Sequence, residues 1–186
     1  MEEITSGKNF QDVKLAPEVV WLGIDFTQVK LIGPSGFSNV PNIVNTQVHS
    51  INDLFVKEPN KYNFPKFLGK TARYKLDIVY ERNMKIPVDG LVLVSDPGGR
   101  VNEEVVQKVV DECQFPKDNL IGMMFVAEAL DKNQQAAFAW VTFIDLNTGK
   151  VIYTSKYAGT AGGFGFRNYW ARSFFDILRQ MPSIFR

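Results

Sequence analysis

The spacing of hydrophobic and polar residues follows two periods along the chain, and each period predicts a different element. Residues 18–32 (EVVWLGIDFTQVKLI) are mostly apolar on both alternating sets of positions, which predicts an interior strand covered on both faces. Asp25 interrupts this run. Because a carboxylate buried alone is costly, we expect Asp25 to be paired, hydrogen-bonded or close to a strand end. One face of this strand is predicted to carry Val20, Leu22, Ile24 and Phe26.

Three segments repeat their apolar residues every three or four positions, which predicts amphipathic helices. The first covers residues 40–55 and has Pro41 in its first turn, a position that tolerates proline. The second covers residues 102–113, with Asn102 as its N-cap. The third lies near the end of the chain, where the apolar positions are Trp170, Phe174, Ile177, Leu178 and Met181.

The remaining apolar runs predict strands. Residues 72–81 alternate apolar and charged residues, as in a strand with one wet face, and residues 90–95 form a short apolar strand. The polar stretch 60–70 between the first helix and these strands is predicted to be a surface loop. The side chains expected to face inward from the alternating strand are Tyr74, Leu76, Ile78 and Tyr80. The last three predicted strands cover about residues 121–130, 136–145 and 150–157.

The turn at residues 146–149 (LNTG) predicts an antiparallel hairpin between the last two strands, since Gly149 can take the left-handed backbone of a tight loop. The resulting order is β-α-β-β-α-β-β-β-α. We therefore predict an α/β fold that borders on α+β, with about three helices on a single mixed sheet and a helix after the hairpin. Residues 1–186 are predicted to form one domain after a polar lead-in (1–16) that could be disordered. We expect near-complete burial of Ile24, Val106, Trp140 and Phe174.

Composition narrows the classes of function. The 21 basic and 20 acidic side chains nearly cancel, which argues against nucleic-acid binding, because such proteins carry a basic excess on one face. The chain has 1 histidine and 1 cysteine. Zinc sites of the two-His and Cys/His types need more of these residues than the chain contains, so counting excludes them. An intramolecular disulfide is excluded for the same reason. A carboxylate site for a hard cation is the remaining metal option. We predict neither a metal nor a cofactor.

The sequence leaves two compartments open. No apolar stretch approaches the ~20 residues that a membrane-spanning helix needs, and the acidic, polar start (MEEITSGK) does not resemble a signal peptide. If an upstream signal or lipid anchor has been removed, the protein belongs to the periplasm or is anchored to the outer membrane. Otherwise it is cytoplasmic.

Two loops that lead from a predicted strand into a predicted helix could bind an anion through their backbone N–H groups. The first is residues 96–100 (DPGGR), and the second is the glycine-rich residues 159–167, which match neither a P-loop nor a dinucleotide-binding motif. Both loops also have a structural interpretation, because Asp-Pro-Gly is a common tight turn and small residues let a chain pass close to a sheet. The candidate ligand-binding residues are Asp96, Gly98, Gly99, Arg100, Gly162, Gly163, Gly165 and Arg167.

Four phenylalanines fall on segments predicted to be loops and, if exposed together, would form a patch suited to a protein partner. The alternative is a satellite core that covers one end of the sheet. No catalytic residue is predicted, because His49 lies at the edge of the polar face of its helix and Cys113 lies on a buried stripe, where a thiol behaves as a small hydrophobe. The residues of the candidate patch are Phe64, Phe67, Phe164 and Phe166.

The run FIDLNTGKVIYTSKYAGTAGGFGF (residues 143–166) combines a hairpin, a glycine-rich bend and the start of a helix. It resembles α/β domains of the bacterial cell envelope, namely the curli-transport and penicillin-binding-protein-activator lipoproteins and the amino-terminal domain of the Tol-system propeller protein. This resemblance implies a protein without enzymatic activity that works by contacting other envelope proteins.

The leading functional hypothesis is therefore a non-catalytic binding or interaction module associated with the cell envelope, with another envelope protein as its partner. The alternative is a phosphate- or nucleotide-binding enzyme that uses the loops 96–100 and 159–167 together as a phosphate cradle. The sequence predicts neither the identity of the partner nor the oligomeric state.

Overall fold

The structure, a computed structural model, describes residues 7–185 and shows an α/β fold. The segment predicted as one helix over residues 40–55 is helical throughout, because a π-helical turn (Ile43–Gln47) joins a helix over Val40–Asn42 to a helix over Val48–Lys57. The strands are β1 (Glu18–Asp25), β2 (Lys30–Ile32), β3 (Thr71–Tyr74), β4 (Val92–Leu93), β5 (Ile121–Asp131), β6 (Ala136–Asp145) and β7 (Lys150–Thr160). The helices are α1 (Phe10–Leu15), α2 (Val40–Asn42), α3 (Val48–Lys57), α4 (Phe64–Leu68), α5 (Asp77–Asn83), α6 (Glu103–Cys113) and α7 (Phe166–Arg179).

These seven strands form one mixed sheet with β5 at its centre. β5 is parallel to β1 along its first half and to β2 along its last residues. β3 and β4 extend this side of the sheet in parallel to β1 and β2. On the other side of β5, β6 and then β7 follow in antiparallel pairings, with Asp145 opposite Lys150 beside the turn. The long strand β7 therefore forms one edge of the sheet.

The strand predicted over residues 18–32 is divided by a bulge and a loop. Gly23 has a φ of +100°, and the register of the pairing with β5 shifts at this point. A Cβ at Gly23 would lie 3.1 Å from Asn52 Oδ1, so a larger residue would be strained here and would press on the asparagine. The prediction that one face carries four side chains of this strand is wrong, because the bulge places Ile24 and Phe26 on one face and Val20 and Leu22 on the other.

Two fully buried asparagines bond the backbone of β1 beyond Trp21, where its pairing with β3 ends. Asn52 Oδ1 accepts from the N–H of Ile24 (2.8 Å), and its Nδ2 donates to the Ile24 carbonyl (3.0 Å). Asn83 Nδ2 donates to the same carbonyl (2.9 Å), and its Oδ1 accepts from the N–H of Phe26 (2.7 Å). β5 pairs with β1 as far as Asp25, and side chains from α3 and α5 thus complete the hydrogen bonding at the end of this strand.

The core lies on both faces of the sheet, with α6 on one face and α3 and α7 on the other. Ile24, Val106 and Phe174 are each 0% exposed, as predicted. Trp140 is only half-buried, so its prediction was wrong. It lies on β6, directly opposite Lys156 of the edge strand β7.

The strand predicted over residues 72–81 ends at Tyr74, and α5 follows it. Leu76, Val79 and Asn83 are buried at spacings of three and four residues. The sequence of this segment therefore fits the period of a helix as well as the alternating period of a strand. Packing of α5 against β1 decides between the two. Tyr74 is 39% exposed instead of facing the core.

From residue 7 onward the polar lead-in contains α1. The side chain of Asn9 caps α1, and Val13 is 0% exposed. Lys8 donates its backbone N–H to Asp145 Oδ2 (2.9 Å) and ties the segment to the end of β6. Residues 1–6 lie outside the described residues.

At the start of the edge strand β7, the side-chain amide of Gln107 takes the place of a neighbouring strand. Its Nε2 donates to the Gly149 carbonyl (3.0 Å), and its Oε1 accepts from the N–H of Val151 (2.9 Å). An amide side chain can satisfy both a donor and an acceptor of an open strand edge. The first residues of this edge are therefore closed.

At the other end of β7, α7 provides the partners. Asp176 Oδ2 accepts from the N–H of Thr160 (3.0 Å), and Gln180 Nε2 donates to the Ala158 carbonyl (2.8 Å). Only the central part of the strand edge is left without such a cap among the described residues.

β7 and α7 approach each other most closely at Gly159. A Cβ at this position would lie 1.9 Å from the carbonyl oxygen of Ser173, closer than any two such atoms can come. For Gly159, the structural interpretation of the glycine-rich stretch is therefore confirmed, because the close packing of helix on strand requires a residue without a side chain.

Over residues 7–185, none of the helices combines the length and the apolar composition that crossing a membrane would require.

Candidate functional site

An open cleft of about 720 Å³ runs beside α7, and we call it the α7 cleft. One wall is the exposed side of α7, and the glycine-rich bend (residues 161–165) closes one end. The opposite wall is formed by the end of α3 and the loop that leads to α4. The lining residues that carry the argument below are Glu58, Lys61, Tyr62, Gly162, Gly163, Phe164, Arg167, Arg172, Asp176 and Arg179.

Cations outnumber anions in the α7 cleft. Asn168, Arg172, Phe175 and Arg179 share its wall because residues four, three and four apart lie on one face of a helix. The other face of α7 carries the buried stripe. The cationic lining residues are Lys61, Arg167, Arg172 and Arg179, and the anionic ones are Glu58 and Asp176.

The cations of the cleft are only weakly used inside the protein. Arg179 Nη1 lies 4.0 Å from Asp176 Oδ1, at the limit of an ion pair, and Arg167 Nε donates to Asn168 Oδ1 (3.2 Å). Arg172 lies against Gly162 and belongs to none of the ion pairs between described residues. Exposed guanidinium groups of this kind are available to carboxylates or phosphates of another molecule.

Tyr62 lies at the base of the α7 cleft, where its side chain is 0% exposed and its hydroxyl has no hydrogen-bond partner among the described residues. Its ring stacks on Phe55, with centroids 4.2 Å apart. Burial, and then the charge of Glu58, raise the pKa of Tyr62 to about 12, against a smaller opposing effect of Arg167. The hydroxyl is therefore protonated at neutral pH and can donate a hydrogen bond. A buried polar group without a partner costs about 1–3 kcal/mol and calls for an explanation.

The glycine-rich bend presents backbone donors to the same cleft. The N–H of Gly162 is already used, since it donates to the Tyr169 carbonyl (3.1 Å). The N–H groups of Gly163, Phe164 and Gly165 form no hydrogen bond with another described residue. The first N–H groups of α7 have no acceptor within the helix, and the N-cap residue Gly165 has no side chain to offer one.

Of the four phenylalanines predicted to form a patch, one is at the surface. Phe164, at the tip of the bend, is 95% exposed. Phe64 is 1% exposed, because the predicted loop is helix α4 and the ring packs on Trp21. Phe67 and Phe166 are half-buried and pack against Phe175 and Trp170 respectively. Three of the four thus belong to the core of α4 and α7, and the exposed patch is reduced to Phe164.

The loop at residues 96–100 is closed on itself. Asp96 accepts from the N–H of Gly98 (2.9 Å) and from Arg100 Nη2 (3.1 Å). Burial alone would raise the pKa of Asp96, but the hydrogen bonds from Arg100 and Gly98 hold it below the usual value. Arg100 also donates to the backbone carbonyls of Gln28 (3.1 Å) and Glu128 (2.8 Å). Arg100 therefore fastens this loop to the sheet, and Gly99 lies beside it with a φ of +70°.

The two candidate loops do not share the α7 cleft. Gly162, Gly163 and Arg167 line the α7 cleft, whereas no residue of the loop 96–100 does. Gly165 stands just outside the lining, at the start of α7. The α7 cleft therefore offers no phosphate cradle shared by both loops.

Asp25, Cys113 and His49 lie outside the α7 cleft. Asp25, at the end of β1, is 0% exposed and accepts from Arg82 Nε (2.7 Å), which confirms that it is paired and hydrogen-bonded. Cys113 is buried, and burial raises the pKa of its thiol to about 12, so it is not a nucleophile at neutral pH. His49 is half-buried, and burial lowers its pKa. In the part of the chain that the structure describes, no group of three His, Cys, Asp or Glu side chains is placed to hold a metal ion.

Sequence reasoning identified Arg167 and the glycines of the bend but missed Lys61, Tyr62, Arg172 and Arg179. The helical spacing of the two arginines on the exposed side of α7 could have indicated a basic wall. Tyr62 gave no signal, because only the fold brings the loop between α3 and α4 against the side of α7.

Comparisons with known proteins do not assign the chain to a family. No protein-family model and no curated protein matches it. A search of solved structures returned a dodecamer of a PelC variant from Paraburkholderia phytofirmans, which is 13% identical over 97% of this chain and 92% of that chain, with a TM-score of 0.32. A TM-score this low does not establish a common fold. The resemblance of residues 143–166 to envelope lipoprotein domains is not confirmed and stays a prediction.

Proposed function

We propose that this protein is a non-catalytic interaction module whose α7 cleft binds an acidic segment of another protein, with Phe164 as an apolar contact at the rim. The observation that carries this proposal is the juxtaposition of four cationic side chains with a phenylalanine that is 95% exposed. A single aromatic side chain at this exposure is a common anchor in protein interfaces.

The charge balance of the cleft supports an acidic partner. Four cations face two anions in the lining, although the whole chain has a net charge of only +1. The excess of positive charge is thus local to this surface, and a partner with carboxylates would find complementary charge here. Lys61 Nζ lies 5.5 Å from the ring centroid of Phe175, so an aromatic surface extends between the charges.

The proposal is tested with an array of fluorescent synthetic peptides rich in Asp, Glu and Leu, and a matched array with Lys in place of the acidic residues. We expect acidic peptides to bind and basic ones not to. The double variant Arg167→Glu/Arg172→Glu should weaken binding of the best acidic peptide by at least about tenfold, as expected for losing charged contacts. Fluorescence anisotropy measures both affinities.

A second double variant, Lys108→Glu/Lys117→Glu, changes the net charge by the same amount at exposed positions of α6 and the loop after it. It should bind the acidic peptide like the unmodified protein. Equal losses in both double variants would mean that net charge rather than the cleft attracts the peptide, and would overturn the proposal.

We extend the proposal to the cell envelope, on the resemblance of residues 143–166 alone. In that case the partner is another envelope protein. Expression of the native gene product in its host, followed by separation of cytoplasm, periplasm and membranes, is expected to recover it outside the cytoplasm. Recovery in the cytoplasm alone would contradict this extension and leave the binding of acidic segments standing.

A further inference from the structure

We infer that the base of the α7 cleft holds an acid-group subsite, in which the Tyr62 hydroxyl and the guanidinium of Arg167 bind one carboxylate of the partner segment. This inference rests on the proposed function and identifies the atoms that would recognise the acidic group. Its starting observation is the Tyr62 hydroxyl, a buried donor without a partner among residues 7–185.

Tyr62 differs from the other buried groups that lack a partner. The others are Trp21 Nε1, Trp140 Nε1 and Ser173 Oγ, and none of their residues lines the α7 cleft. Tyr62 does, together with Arg167 and Arg172. Two cations and a hydroxyl donor thus line one cleft, and each of them can donate to an oxygen of a carboxylate.

The bend adds donors on the same side. The N–H groups of Gly163 and Phe164 form no bond with a described residue, and Gly163 lines the cleft. The start of α7 lies directly after them and carries the positive end of a helix of 14 residues. A negative group at the base of the cleft would therefore face a hydroxyl, a guanidinium and free backbone N–H groups.

The charges of the cleft favour a carboxylate over a doubly charged phosphate. Glu58 and Asp176 line the same space and would repel a second negative charge. The hydroxyl is shielded from water, and Lys61 Nζ lies 5.6 Å from the centroid of the Tyr62 ring. Because the hydroxyl is covered, the proposed binding requires side chains around it, such as the exposed Lys61, to move aside.

The test uses the best-binding acidic peptide and the variant Tyr62→Phe, which removes one oxygen atom and keeps the ring. We expect thermal stability to be unchanged or raised, because the lost hydroxyl has no partner in the folded protein. Peptide binding should weaken about tenfold, the effect of one hydrogen bond to a charged group. Tyr153→Phe, which removes a hydroxyl that bonds Tyr157 on β7, should leave the affinity unchanged.

A double-mutant cycle between Tyr62 and the peptide identifies which acidic residue of the peptide occupies the subsite. Each Asp or Glu of the peptide is changed in turn to Asn or Gln, and one change should weaken binding to the unmodified protein much more than binding to Tyr62→Phe. If every peptide change and Tyr62→Phe had additive effects on the free energy of binding, the subsite would be overturned. Normal affinity in Tyr62→Phe, together with weakened binding in Arg167→Glu/Arg172→Glu, would also overturn it. The latter result would leave the proposed function intact, whereas failure of all acidic peptides to bind would reject both.

Discussion

Replacing Arg82 with Met should lower the free energy of unfolding by about 3–5 kcal/mol, the usual cost of removing one partner from a buried ion pair. Asp25 is 0% exposed, and its carboxylate accepts from Arg82 Nε at 2.7 Å and from the N–H of Thr27 at 2.9 Å. Without the guanidinium, a negative charge stays buried at the end of β1. Natural proteins are stable by only about 5–15 kcal/mol, so urea unfolding should detect this loss easily.

Arg73→Met is the matched control, because Arg73 pairs with Glu18 at 3.1 Å but its side chain is 60% exposed. A surface pair of this kind contributes about 0–1 kcal/mol, so the control should unfold at nearly the same urea concentration as the unmodified protein. The double variant Asp25→Asn/Arg82→Met removes the buried charge together with its partner and should regain part of the stability. Equal losses for Arg73→Met and Arg82→Met would show that the pair is not buried as described.

Replacing Phe174 with Ala should cost about 3–5 kcal/mol, since the change leaves a cavity between α7 and the sheet. The ring is 0% exposed and meets Phe26 edge to face, with centroids 5.6 Å apart. Phe164→Ala removes the same number of atoms from the surface of the molecule and should change stability by less than about 0.5 kcal/mol. Chemical unfolding of both variants gives the comparison.

This pair of variants also separates folding from binding. Phe164→Ala should keep its unfolding curve and lose affinity for the acidic peptide, whereas Phe174→Ala should lose stability. A large loss of stability in Phe164→Ala would mean that the bend is part of the core. In that case its exposed phenylalanine could not be assigned to a partner.

The elements that sequence reasoning located well are those with a strong single period. The helix with Asn102 as N-cap begins at Glu103, and the last three strands lie within a few residues of their predicted ends. Residues 72–81 failed because their apolar residues fit two periods, and only the contact of α5 with β1 selects the helix. The reversal of faces at Gly23 could not be predicted for a related reason, since the asparagines that bond the backbone after the bulge come from other parts of the chain.

The candidate site divides in a similar way. Arg167 and the glycines were found because they are close together in sequence and have a recognisable chemistry. Arg100 has the same chemistry, but its guanidinium is taken by the carbonyls of Gln28 and Glu128, which lie far away along the chain. Whether a cation is free for a partner depends on such contacts between residues far apart in sequence. Tyr62 lines the cleft for the same reason, because the fold brings its loop against Phe175 of α7.

The addition of a further strand to this sheet is restricted by three side chains, those of Gln107, Asp176 and Gln180. A strand from another molecule that added to β7 would find the backbone groups near both ends already occupied. Only residues 152–157 would remain for pairing, a length that provides few hydrogen bonds. Fibrils extend from long, unblocked edges, so these three side chains act against aggregation along this edge strand.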